Sequence, residues 1–165
     1  MTIIRGDGFI LRPLKISDAK GYWETMQDKE TIKGLMSVPH SLSEAKKEIK
    51  EDIKEMKEKG SEYFTIEVNR KYAGNVILQY QNWDKTSEDG RIHMWLHPDF
   101  RGRGLATKAI KKLIGYGFKK GFKRIYAQCK ASNKAVISIN KKLGFKKVKT
   151  HMVEGVKKIL WVKVK

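Results

Sequence analysis

Apolar residues recur along this chain with two periods, one of strands and one of helices. Phe9 to Arg12 is a run of β-formers ended by Pro13, whose missing N–H and fixed φ stop a sheet ladder. Ser17 or Asp18 then opens a helix in which Ala19, Tyr22, Trp23 and Met26 fall at i, i+3, i+4 and i+7. The polar stretch from Thr31 to His40, with Gly34 and Pro39, suits a mobile lid, and His40 reads as a solvated loop residue. Ser41-Leu42-Ser43-Glu44 is a capping box, and Leu42, Ala45, Ile49, Ile53 and Met56 continue one helical stripe to Gly60. The outer face of that helix alternates Lys with Glu or Asp and reads as solvated, without chemistry.

The second period takes over after Gly60. Tyr63 to Val68 and Tyr72 to Trp83 read as strands joined through Asn69-Arg70-Lys71, with Gly74 marking a bulge. A polar turn from Asp84 to Gly90 leads into a central strand, Arg91 to His97, so three consecutive strands form an antiparallel meander. Pro98 ends that strand. Ala106, Ala109, Ile110, Leu113, Ile114, Gly117 and Phe118 then make a helical stripe closed by Gly121. Arg124 to Cys129 is a further strand, and Phe145 to Val153 pairs with Val156 to Val164 through Glu154-Gly155.

The turn between the central strand and its helix, Arg101-Gly102-Arg103-Gly104-Leu105-Ala106, carries the first chemical signal. Small residues let a ligand approach the backbone while the first N–H groups of the helix stay unpaired, a ready anion site. It is no P-loop, which needs Gly-Lys-Ser/Thr after four residues. Nor is it a dinucleotide fingerprint, whose third glycine is replaced by Thr107. It matches instead the Arg/Gln-x-x-Gly-x-Gly/Ala signature of the GCN5-related N-acetyltransferases, with Arg101, Gly104 and Ala106 in the defining places. Ala131 to Phe145 resembles that family's Asn-x-x-Ala/Ser-x-x-x-Tyr-x-Lys-x-Gly-Phe segment, and the opening GFILRPLKISDA resembles the branch that acetylates ribosomal-protein N-termini and polyamines.

The resemblance implies a single α/β domain over residues 1–165, a mixed, mainly antiparallel twisted sheet of six to seven strands flanked by about four helices. It implies acetyl-CoA as co-substrate, with its pyrophosphate cradled by Arg101, Gly102, Arg103, Gly104, Leu105, Ala106 and Thr107. Asn133 is expected beside the pantetheine amides. Backbone N–H near Leu96 and His97 is expected to stabilise the tetrahedral oxyanion. The family's usual glutamate early in the central strand is replaced by Arg91, and its general-acid tyrosine by Asn140. His93, two residues on from Arg91 and on the same strand face, is the candidate base, with Glu88 and Asp89 as alternatives. Asn140 can donate a hydrogen bond to sulfur, which suffices for a thiol titrating near 8.5. Tyr22, Trp23, Glu88 and Arg91 are the candidate acceptor contacts. The activity implied is direct acetyl transfer in a ternary complex to a protein N-terminal α-amine, with a polyamine or other small amine as the alternative. A non-catalytic CoA- or RNA-binding module is the alternative of another class.

Composition narrows the picture. One cysteine, Cys129, excludes an intrachain disulfide and suits a reducing cytoplasm. No apolar run reaches the roughly 18 residues of a membrane span, so no membrane partner is expected. His93 and His97 stand four apart, but on a strand without a third ligand, so no metal is expected. The net charge of +18 is segregated: residues 1–100 carry 16 Lys+Arg against 17 Asp+Glu, and residues 101–165 carry 20 against one. The basic half attracts polyanionic CoA and leaves a surplus for a ribosomal or RNA contact. A monomer or a homodimer is compatible with all of this.

Overall fold

The computed structural model describes residues 2–35 and 37–165. Among them eight strands form one sheet: β1 (Ile4–Arg5), β2 (Ile10–Pro13), β3 (Glu62–Val68), β4 (Lys71–Tyr80), β5 (Asp89–Leu96), β6 (Arg124–Lys130), β7 (Lys146–Val153) and β8 (Val156–Val164). Their order is β1-β2-β3-β4-β5-β6-β8-β7, and only β5 and β6 run parallel. Five helices accompany them: α1 (Ala19–Met26), α2 (Lys29–Gly34), α3 (Leu42–Lys59), α4 (Leu105–Lys120) and α5 (Lys134–Lys142). The expected meander is β3-β4-β5, and the expected C-terminal hairpin is β7-β8. The elements beyond those read from sequence are the two-residue β1, the short helix α2 and three 3-10 turns, Ile16–Asp18, Gln81–Trp83 and Pro98–Phe100, of which Gln81–Trp83 replaces the end of the expected Tyr72–Trp83 strand. Helix α2 occupies the first part of the expected lid, and Met36 in that stretch lies outside the described residues.

Alternation along the strands sorts two cores onto the two faces of the sheet. Ile92, Met94 and Leu96 of β5 join Leu105, Ala109, Ile110 and Leu113 of α4 on one face, with α5 packed through Val136, Ile137 and Ile139. On the other face, Trp95 and Ile77 meet Ala19 and Tyr22 of α1 and Ile49 and Ile53 of α3. Each stripe reads from the sequence because a helix buries one side only. Leu113, fully buried, illustrates the scale: truncation to alanine at such a site costs about 2–5 kcal/mol.

A polar seam crosses the second face. Asp18 stands at the start of α1 but does not cap it; its carboxylate accepts from Arg12 (2.7 and 2.9 Å), from the Thr65 hydroxyl (2.7 Å) and from Lys15 N–H (2.9 Å). Asn75 Nδ2 reaches Thr65 Oγ1 at 3.3 Å, and Asn75 Oδ1 accepts from Tyr72 and, at 3.0 Å, from Trp95 Nε1. Asp18, Thr65 and Asn75 are buried, so the seam is stable because its members satisfy one another. It ties α1 through β3 and β4 to the end of β5.

At that end the sheet opens. The register shifts between Ile66 and Glu67, which face Gly74 and Tyr72, leaving Ala73 as the extra residue of a bulge. Gly74 adopts φ +149°, and a Cβ there would stand 2.2 Å from the Trp95 carbonyl oxygen. Only glycine permits this approach. Meanwhile β5 pairs with β6 only from Asp89 to Arg91, so the two strands part for the rest of β5. Gly74→Ala is expected to lower stability by about 2–4 kcal/mol, combining backbone strain with overpacking. A thermal melt should record a midpoint roughly 5–15 °C lower.

Candidate functional site

The parting of β5 from β6 leaves backbone donors without sheet partners. His97 N–H donates to the Ala73 carbonyl at 2.9 Å, on the β4 side. Because successive N–H groups alternate across a strand, Leu96 N–H points into the gap. Of the two expected backbone donors, Leu96 is therefore the available one. The His97 imidazole is occupied as well: Nδ1 accepts from Asp99 N–H at 3.2 Å and Nε2 lies 3.4 Å from Glu24.

The gap adjoins the start of α4. Gly104 (φ +71°) precedes the helix with no side-chain cap, so the N–H groups of Leu105, Ala106 and Thr107 lack intrahelical partners. Gly102 (φ +74°) shares the left-handed conformation, and a Cβ on either glycine would meet nothing within 4 Å. The result is a concave backbone turn at the positive end of a 16-residue helix, a fit for a phosphate. Arg101 contributes differently from the expectation. Its guanidinium is bound to the Asp28 carboxylate (2.8 Å), the Thr31 hydroxyl (2.6 Å) and the Leu96 carbonyl (3.2 Å), tying the turn to α2. Arg103 is exposed and stacks 5.9 Å from Phe100.

Asn133 caps α5, its side chain accepting from Val136 N–H at 3.1 Å. Seven residues on, Asn140 is 2 % exposed and its Nδ2 has no partner, a buried donor left unpaired. Such a group costs about 1–3 kcal/mol, so it marks a place where a ligand atom can repay the deficit. Cys129, by contrast, is buried, and burial pushes its thiol above the usual value. That disfavours the thiolate an acyl-cysteine route would need.

On the other face, Arg91, His93 and Trp95 line one side of β5, as their spacing predicts. His93 faces Ile77 on β4, which in turn faces Tyr63 on β3. Burial, reinforced by the Arg91 charge, lowers the His93 pKa to about 4. Arg91 has a buried Nε without a partner. Tyr22 packs 5.9 Å from the Trp95 ring and donates to Glu48 at 2.7 Å; Trp23, beside it on α1, has a buried unpartnered Nε1. Glu88 and Asp89 are not brought to this end. They lie at the start of β5, roughly 25 Å up the strand from Leu96, paired with Lys123 and Arg124.

The α3 face was misread from sequence. Glu48, Asp52 and Glu55 are half-buried on the side of α3 turned to Tyr22 and Tyr63, and Tyr63 donates to Glu55 at 2.8 Å. Burial and the charges of Glu55, Glu48 and Glu51 push the Asp52 carboxyl up to about 7. The signal was present: three acids at i, i+4 and i+7 flank the apolar stripe instead of opposing it. Among the described residues no group of His, Cys, Asp and Glu is arranged to hold a metal, and no helix is long and apolar enough to cross a membrane.

Residues 9–146 match the family model described as Acetyltransferase (GNAT) domain, and the chain belongs to that family. It is 37% identical over 94 residues to an uncharacterized N-acetyltransferase of Methanocaldococcus jannaschii, an alignment covering 54% of this chain and 41% of that protein. The chain spans about half the length of the curated relatives it matches. Its fold is shared with RimL, a ribosomal L7/L12 α-N-protein acetyltransferase solved in complex with coenzyme A. The TM-score is 0.86 at 16% identity, covering 99% of this chain and 98% of that one. It is shared also with a ribosomal-protein-S5-alanine acetyltransferase of Vibrio fischeri, with a TM-score of 0.84 at 18% identity over 99% and 97% of the two chains.

Two substitutions, one with a matched control, probe the expected cofactor side. Gly104→Glu places a carboxylate at the turn and is expected to weaken acetyl-CoA binding at least roughly 100-fold, from a repulsion of about 4 kcal/mol at contact distance. Gly104→Asn, which tolerates the left-handed backbone, is the control and should bind within about tenfold of wild type by calorimetry. Asn140→Leu removes the orphaned amide at similar volume. It should raise stability by about 1–2 kcal/mol while lowering kcat, an opposition visible by comparing melts with turnover.

Proposed function

We propose that this chain is an acetyl-CoA-dependent N-acetyltransferase that transfers acetyl directly, in a ternary complex, to the α-amine of a protein N-terminus. The observation that carries the reading is the meeting, at one opening in the sheet, of the free Leu96 N–H with the uncapped start of α4. Bound acetyl-CoA supplies an acetyl group activated as a thioester. The Gly102–Thr107 backbone holds its phosphates. Leu96 N–H is a fixed donor for negative charge developing on a carbonyl oxygen, and Asn140 Nδ2 donates a hydrogen bond on the sulfur side.

Magnitudes decide where the amine proton goes. An α-ammonium titrates near 7.7–8.0, so passing its proton to His93 at about 4 is uphill by nearly four units, roughly 5 kcal/mol. Passing it to Asp52 at about 7 is uphill by only about one unit. His93 is therefore a poorly matched acceptor of that proton, and the Asp52 carboxyl, with water as the carrier, is the better matched one. The Arg91 guanidinium, with no ion-pair partner among the described residues, can donate to peptide carbonyls, which a polyamine lacks. The solved neighbours named for ribosomal-protein N-termini point the same way.

Thiol release from acetyl-CoA with N-terminal peptides, free lysine and spermidine tests the reading. Turnover with peptides, and little with spermidine, is expected; no thiol release with any of these amines would leave a CoA-binding module. For the accepted peptide, kcat/KM should fall with a single acid limb near pH 7, because Asp52 must be deprotonated to receive a proton. Asp52→Asn should remove that limb. His93→Gln should lower the rate without moving it, and a limb that moves with His93 instead would return the base to the imidazole.

A further inference from the structure

The basic surplus of the C-terminal half is not spread evenly over the surface. On α4 and at the starts of β5 and β6 it is partly neutralised: Lys108 pairs with Asp7, Lys120 with Glu62, Lys123 with Glu88 and Arg124 with Asp89. Beyond β6 the pairing stops. α5, β7 and β8 contribute three lysines each, and among the described residues no carboxylate lies within 4.0 Å of any of them. The one acid after residue 100, Glu154, sits in the turn joining β7 to β8. β7 is the outermost strand of the sheet, with one edge unpaired and its first five residues exposed on both faces, while α5 packs on the Trp161 face. Lys146 and Lys149 share a face with Lys158, while Lys147 shares the opposite face with Lys157.

Lysines on an edge strand discourage strand-to-strand aggregation, but one or two suffice for that. Nine like charges on adjoining elements repel, a standing cost that a polyanion relieves. The composition separates the classes of polyanion. Protein interfaces are enriched in Arg and aromatic residues and depleted in Lys. Here the three elements hold no arginine and one aromatic, Trp161, which is buried. Lysine meets phosphate as a point charge without the fork geometry that reads a base edge or grips a carboxylate. An exposed lysine array of this kind suits a phosphate backbone recognised by charge alone.

We infer that the β7–β8 edge is a docking surface for the phosphate backbone of duplex RNA, separate from the acetyl-transfer site. The choice of RNA over DNA rests on the acceptor reading above together with the solved neighbours whose names give ribosomal proteins as their acceptors. Binding is independent of base sequence and strongly dependent on salt.

The test compares two triple variants of the full chain, Lys146→Gln/Lys149→Gln/Lys158→Gln on the hairpin and Lys111→Gln/Lys112→Gln/Lys119→Gln on α4. Both remove the same charge, from exposed positions except the half-buried Lys158, and thermal melts confirm folding. Fluorescence anisotropy with a labelled RNA hairpin, a DNA hairpin of the same sequence and poly-glutamate follows the affinity from 50 to 200 mM salt. The hairpin variant is expected to weaken RNA binding at least tenfold and to flatten the log–log salt slope by about 2–3, at roughly 0.9 per lost phosphate contact. The α4 variant should leave both near wild type. Equal effects of the two triples would reduce the surface to net charge and overturn the proposal. A tenfold preference for DNA, or displacement of RNA by poly-glutamate at equal charge concentration, would overturn it in favour of another partner. Peptide turnover measured alongside separates the two readings: if no peptide is acetylated, the acceptor reading fails whatever the RNA result.

Discussion

The structure depends on one close approach, the backbone of Gly74 against the Trp95 carbonyl. A side chain at residue 74 would stand 2.2 Å from that oxygen, so the bulge at Ala73 exists only because glycine follows it. The bulge sets the direction of the last third of β5. As β5 leaves β6 after Arg91, Leu96 N–H is released into a gap whose far side is the start of α4. A sheet that stayed paired through Leu96 would satisfy its donors internally and offer nothing to a ligand.

Three supports hold that opening in place. The α4 stripe anchors the turn from below, since Leu105 is buried one residue after Gly104 and the helix cannot slide without exposing its core. The polar seam from Arg12 and Asp18 through Thr65 and Asn75 fixes Trp95 on the opposite face. Arg101 closes the arrangement by binding Leu96 O together with Asp28 and Thr31, so that the Gly102–Gly104 turn, the strand end and α2 share one guanidinium. Burial then differentiates the titratable groups. His93 on β5 is pushed below neutrality and Asp52 on α3 is raised to it, both on the same side of the sheet.

The sequence is legible wherever a side chain reports its own environment. The stripes of α3 and α4, the Asn69-Arg70 hairpin with both residues at positive φ, the bulge glycine and the β7–β8 turn follow from local pattern and turn chemistry. Elements too short for a period were not legible: β1 is two residues, and α2 is six, announced only by Asp28 capping Thr31. Contacts between residues far apart in sequence were also hidden. Arg101 reads as a phosphate ligand until Asp28 is seen beside it, Asp18 reads as a helix cap until Arg12 and Thr65 claim it, and Asp52 reads as solvated until Tyr22 and Tyr63 cover it. For Arg101 and Asp18 no periodicity announces the contact and only the assembled fold exposes it, whereas at Asp52 the spacing of Glu48, Asp52 and Glu55 beside the apolar stripe was a signal.

Amide hydrogen exchange resolved to single residues tests the central claim most directly, since Leu105, Ala106 and Thr107 have no intrahelical partners and Leu96 N–H faces the gap. Saturating acetyl-CoA is expected to slow exchange at these four amides by about tenfold or more while leaving α3 unchanged. Unaltered exchange at Leu96 and at the start of α4, with acetyl-CoA demonstrably bound, would contradict the account.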